Sequence, residues 1–398
     1  MNSRQRVLAA LAHGEPDMVP IDFCATRSTG ITAVAYARLM AHLGISGGEI
    51  RVYDVGQQLA EVDAAVLERF AVDVVALDAD QLGPWQDFRL PDGTPAKIPV
   101  ACDIVPGADG SQYLRARGRL VRQRPTHGWY FDETYHPLAE ASTLADIESY
   151  DWQLLDVGLL GRLRERARQL YEETPYAIVG AFGGNVLEAA QSLRGFEQCM
   201  LDLAGNKAFA SALLQRITEV NLENLRRYLE AVGEYIQVIQ FGDDLGMQTG
   251  PLISPEAYRQ LLKPCHQRLY RYVKDHSSLY VFLHSCGSVY DFIPEFIDAG
   301  VDILNPVQTS ARNMEPERLK KEFGSDLTFW GGGGDTQWVL PHGSIQEVRE
   351  DVCQRMAVFA PGGGFVFGQV HNIQPDVPPE NVMALFDAAI EHRRYPLL

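Results

Sequence analysis

His284 and Cys286 stand two residues apart in LYVFLHSCGS, directly after a short apolar run. On an extended strand alternate side chains share a face, so an imidazole and a thiol at this spacing project together. That pair suits Zn²⁺, which takes nitrogen and sulfur ligands in a near-tetrahedral set and keeps one position open when it is catalytic. Two ligands do not complete such a site, and the same pair also reads as a buried histidine beside an inert thiol.

Polar residues follow other apolar runs in the same way. Asp22 is followed by Cys24, Thr26 and Arg27, and Asp78 by Asp80. Gly242 leads into Asp243 and Asp244, and the run around 302–307 reaches Asn305 and Gln308. Gly331 to Gly334 precede Asp335, Thr336 and Gln337, and the last run ends in His371 and Asn372. Each reads singly as a cap or a turn former, but their recurrence at successive strand ends points to a common site. The Asp243-Asp244 pair could set a carboxylate against a cationic or N–H-bearing ligand, or fix the loop before SPEAYRQLLKP, where Ser254 is a predicted helix N-cap and Pro255 the first helical residue. The glycine clusters 331–334 and 362–364 read either as a phosphate cradle or as tight turns beside a bulky ligand. Neither a Walker-type loop nor a dinucleotide fingerprint is present.

The elements that must carry these residues are short continuous apolar runs at 19–23, 72–78, 176–182, 236–242, 279–284, 302–307, 327–332 and 365–370. They lack period-two alternation, as parallel strands buried on both faces do. Segments 317–323 and 344–359 show the helical period. Strands alternating with helices predict an α/β fold, a single (β/α)8 TIM barrel spanning 1–398, in which chemistry collects at the C-terminal strand ends. A doubly wound open sheet is the alternative. Residues 79–175 are too many for one crossover helix and predict an insertion between the second and third strands, with a small antiparallel hairpin group within KIPVACDIVPGADGSQYLRARGRLVRQRP.

Composition narrows the function class. The 35 Lys+Arg against 52 Asp+Glu give a net charge of −17, which excludes nucleic acid as the main partner. No apolar stretch approaches the ~18 residues of a membrane span. The opening MNSRQRVLAALAHGEP reads as a short helix capped by Asn2 or Ser3 and ended by Gly14, not as a signal peptide. Six scattered cysteines read as free thiols in a reducing cytoplasm.

Four long blocks, in order, resemble the uroporphyrinogen decarboxylase superfamily: RQRVLAALAHGEPDMVPIDF, GDDLGMQTGPLISPEAYRQLLKP, HSCGSVYDFIPEFIDAGVDILNPVQ and FGQVHNIQPDVPPENVMALFDAA. The resemblance implies the same barrel and, by family habit, a homodimer. It leaves two activities. Decarboxylases carry an arginine-rich segment after the first strand; here that place reads FCATRSTG, with Arg27 alone. Asp78 matches the family's pyrrole-binding aspartate and His371 its late histidine, and such an aspartate stabilises charge on a protonated pyrrole. The zinc methyltransferases of the superfamily carry H-x-C and a third cysteine after the seventh strand. His284 and Cys286 match the first two, and the third position is Gly334, so Asp335, Glu188 or His371 would have to complete the site. Zinc lowers a thiol's pKa and presents a thiolate nucleophile.

The expectation is therefore a methyltransferase-like enzyme acting in corrinoid-linked transfer from a small methylated compound. The corrinoid would come on a partner protein or as a free ligand, since no corrinoid-binding signature occurs. A porphyrinogen-type decarboxylase is the alternative, and a non-catalytic tetrapyrrole or corrinoid binder the third. Asp78, Asp243, Asp244 and His371 are the expected catalytic groups. Arg27, Glu188, Gln308, Asp335 and Gln337 are expected to bind substrate, and His284 and Cys286 a Zn²⁺ ion.

Overall fold

The computed structural model describes residues 1–46 and 48–396. Seven of the apolar runs form one parallel sheet: β1 (Val74–Leu77), β2 (Ala177–Gly183), β3 (Val238–Gly242), β4 (Tyr280–His284), β5 (Ile303–Asn305), β6 (Thr328–Trp330) and β7 (Phe365–Val366). Each pairs with its sequence neighbour, in the order β7-β6-β5-β4-β3-β2-β1. The run at 19–23 takes the eighth place. Asp22 N donates to Phe367 O and Phe367 N to Pro20 O, at 2.8 and 2.9 Å, while on the other side Asp73 N donates to Ile21 O at 2.8 Å. Backbone bonds to 19–23 thus link the residue before β1 to the residue after β7 and close the barrel. This segment forms one parallel bridge, Ile21 to Phe367, and not a full strand, because Pro20 has no N–H to donate.

The barrel is filled, as this architecture requires. Val74, Val179, Val238, Phe282, Ile303 and Trp330 meet inside it. Helix Ser3–Leu11 plugs the N-terminal end, inserting Val7 and Leu11 into that cluster. Its cap is Asn2, whose side chain accepts from Gln5 N while Gln5 reciprocates. Asp22 sits in this interior with no exposed surface, accepting from Trp330 Nε1 at 2.7 Å and Ala25 N at 2.9 Å. Burial pushes its carboxyl up to about 6 against those two donors.

Residues 79–175 are not uniform. Trp85–Arg89 pairs with Pro95–Pro99 as one antiparallel hairpin, and Asp103–Pro106, Gln112–Ala116, Arg119–Arg124 and Asp132–Glu133 form a four-stranded antiparallel sheet. Helix Val157–Glu173, at the end of the interval, leads directly into β2 and packs beside β1 and β2 as a crossover helix of the barrel. The helices expected at 317–323 and 344–359 run over Pro316–Phe323 and Ile345–Phe359, the latter with Ser344 in a capping box with Glu347. Ser254 caps its helix as expected, accepting from Ala257 N. All six cysteines are free thiols. Among the described residues no helix is long and apolar enough to cross a membrane.

Candidate functional site

The C-terminal ends of β2, β3 and β4 open on a cavity of about 280 Å³. Arg27, Glu188, Asp244, His284 and His371 line it, and no residue of 79–175 does. Five residues singled out in the sequence are therefore brought to one wall.

β4 ends at His284, so Cys286 lies just past the strand, where loop contacts aim its side chain. Asp244 Oδ1 accepts from Cys286 N and Gln308 Oε1 from Gly287 N, both at 2.8 Å. Gly287 has φ +83°, and a Cβ on it would collide with the Gly246 backbone, so the turn needs glycine. His284 Nε2 and Cys286 Sγ are 3.4 Å apart. His371, after β7, completes a cluster whose ligand atoms all lie within 4.8 Å of one another.

Both imidazoles are oriented from behind by an asparagine. Asn305 Nδ2 donates to Trp330 O at 2.8 Å, which fixes Oδ1 as the acceptor facing His284 Nδ1 at 2.6 Å. His284 Nδ1 then carries the proton and Nε2 presents its lone pair to the cluster. Behind His371, Asn372 Nδ2 donates to Gln57 Oε1 at 2.8 Å and its Oδ1 lies 3.1 Å from His371 Nδ1. Oriented imidazoles beside a thiol are a metal-ligand arrangement, and these three groups could hold an ion. Burial pushes the Cys286 thiol up, and His371 works against that shift.

The acidic residues divide by environment. Asp243 is fully buried: its oxygens accept from Val186 N and Glu188 N, each at 2.9 Å, and lie 2.8 Å from His266 Nε2. It thereby caps helix Leu187–Arg194, whose own N-cap residue Val186 supplies no side-chain bond. That helix sets Glu188 on the cavity wall, held by Asn185. Burial pushes the Glu188 carboxyl up to about 7, with Asp244 and Asp243 adding to the shift and His284 opposing it.

Arg27 reaches the same cavity fully engaged. Nε meets Asp54 at 2.7 Å, Nη1 meets Asp78 at 2.9 Å and Nη2 meets Asp80 at 2.7 Å. Burial opposes the guanidinium charge, and the carboxylates outweigh it. Asp78 also accepts from Asp80 N, starting the single 3₁₀ turn Ala79–Leu82.

Asp335 and Gln337 lie outside the cavity wall. Asp335 Oδ1 accepts from Gln337 N and Trp338 N at 2.8 and 2.7 Å, and Gln337 accepts from Ser310. Gln308 acts through the Gly287 backbone. Asn185, Gln240 and Asp54 belong to the site's surroundings and were not among the expected site residues, while Asn305, noted at the end of its run, was assigned no role. Gln240 had a signal, a polar break inside the apolar run 236–242, whereas Asp54 sits in a segment without periodicity. A Cβ at Gly334 would collide with the terminal Cδ1 of Leu385, so a side chain there requires that leucine to move.

A sequence profile described as uroporphyrinogen decarboxylase (URO-D) matches residues 131–392. The chain belongs to the uroporphyrinogen decarboxylase family, whose members are enzymes. Over 393 residues it is 22% identical to "Uroporphyrinogen decarboxylase" of Alkalilimnicola ehrlichii, covering 96% of this chain and 92% of that protein. Among solved structures it resembles a methyltransferase from Methanosarcina mazei, with TM-score 0.60, 20% identity and 98% and 99% of the two chains covered. That likeness shows the fold.

Proposed function

We propose that this chain is a methyltransferase-like member of the family, in which His284, Cys286 and His371 hold a zinc ion and a methyl group is passed in corrinoid-linked chemistry. The corrinoid would be supplied by a partner protein or as a free ligand. The observation that carries the reading is the His284/Cys286/His371 cluster, its ligand atoms within 4.8 Å of one another beside a cavity that His284 and His371 line. The donor set fits zinc: two imidazoles held by Asn305 and Asn372, plus one thiol, leave a fourth position open.

When bound, zinc would hold a thiol as thiolate near neutral pH. The chain's own groups do the rest. Asn305 fixes the proton of His284 on Nδ1, and Asp244 and Gln308 hold the Cys286 loop in place. Asp243 anchors the helix that carries Glu188, which places a carboxyl on the cavity wall.

The decarboxylase reading is weaker for a specific reason. An octa-acidic porphyrinogen needs free cations, and the only Arg or Lys lining the cavity among the described residues, Arg27, is bound to Asp54, Asp78 and Asp80. Metal analysis of the purified protein tests the proposal. About one zinc per chain, falling sharply in Cys286→Ser, is expected; a folded chain without zinc, or turnover of uroporphyrinogen to decarboxylated products, overturns it.

A further inference from the structure

Resting on the methyl-transfer reading, we infer that the cavity takes a small methylated ammonium cation and excludes anionic substrates. The cavity and the His/Cys/His cluster define the site independently of its acids; the acids decide what charge it accepts. Glu188 and Asp244 present carboxyls to it. Arg27, the only Arg or Lys in its wall among the described residues, is matched by three carboxylates, so that side also carries excess negative charge. The other polar wall groups are Ser28, Gln57, Asn185 and Gln240, which are neutral, and the imidazoles of His284 and His371, which the proposed zinc would occupy.

Glu188 and Asp244 stand on the same wall, so the cavity resists one more negative charge. An entering cation would offset that repulsion. An anion would meet Glu188 and Asp244 and, among the described wall residues, no free guanidinium or ammonium, and the charge of a bound zinc would be offset by the Cys286 thiolate and those two carboxylates. At about 280 Å³ the space sits at the small end of ligand pockets, roughly 300–1,000 Å³, and suits a compact ammonium rather than a macrocycle.

The test is calorimetric titration of the purified full chain with tetramethylammonium chloride, alongside tert-butanol as a neutral compact comparator and methanesulfonate as an anion. Saturable binding of tetramethylammonium, at least ~10-fold tighter than either comparator and weakened about 10-fold in Glu188→Gln at pH 8, is expected. Equal binding of the neutral comparator, preferred binding of methanesulfonate, or an unchanged affinity in Glu188→Gln overturns the inference. Circular dichroism of Glu188→Gln verifies that its fold is retained. Zinc content is measured on the same samples. Zinc without cation preference defeats this inference alone; cation preference without zinc defeats the methyl-transfer reading and leaves the cation site standing.

Discussion

Asn305 Oδ1 lies 2.6 Å from His284 Nδ1, on the side of the imidazole away from Cys286, and also accepts from Ser28 Oγ at 2.8 Å. One buried amide at the end of β5 thus sets the tautomer of a ring at the end of β4. Groups that orient a ligating histidine are worth about 10–100-fold in metal affinity. Asn305→Ala is expected to weaken zinc binding by that factor, read by competition with a chromophoric chelator. It also strands Trp330 O, at about 1–3 kcal/mol in stability. Asn305→Asp keeps an acceptor for His284 and is expected to lose less affinity than Asn305→Ala; the reverse order would remove the orienting role.

His371→Ala should lower zinc content as far as Cys286→Ser does, whereas Asp335→Asn should leave it unchanged. Asp335 is occupied by the backbone amides of Gln337 and Trp338, and His371 is the residue within reach of the cluster. Elemental analysis of the three variants decides between these candidate third ligands.

Gly334→Cys is not expected to add a ligand. A Cβ there meets the end of the buried Leu385 side chain, which would have to repack, and overpacking costs up to about 3 kcal/mol. A lower urea midpoint with unchanged zinc stoichiometry is the expected result; tighter zinc binding without loss of stability would contradict it.

Asp243→Ala removes the acceptor of two backbone amides and the buried partner of His266. Breaking a buried pair from one side costs about 3–5 kcal/mol. Urea unfolding should show that loss, and Asp243→Asn, which keeps an acceptor oxygen, should show less.

Asp22 supplies a pH dependence whose sign follows from burial. Its carboxyl ionises near 3.8 when unfolded and at about 6 in the fold. Between these values the folded chain binds more protons, so stability falls as pH rises from about 4 to about 6, by at most ~3 kcal/mol. Asp22→Asn removes this contribution, so the gap between the two proteins' unfolding free energies should change over that window and be flat above pH 7. A constant gap from pH 4 to 7 would contradict the assignment.

The barrel was legible because continuous apolar runs separated by helical periods leave parallel strands few arrangements, and seven of the eight runs formed strands. The eighth, 19–23, was placed correctly, but Pro20 reduced it to a bridge. The sequence paired His284 with Cys286, but strand alternation does not set that pairing, because β4 ends at His284 and the Asp244 and Gln308 contacts to the following loop aim Cys286. The sequence could not choose among Asp335, Glu188 and His371 as their companion. That choice depends on the barrel closing between β7 and β1, which brings residue 371 next to residues 284 and 286.

Charge divided the same way. Local sequence determined that acids follow the strands. Only the tertiary structure decided that Asp243 is a buried anchor for a helix 55 residues away, or that Asp54 joins Asp78 and Asp80 on Arg27. A carboxylate's role depends on what reaches it through space, and desolvation and pairing are properties of the packed chain.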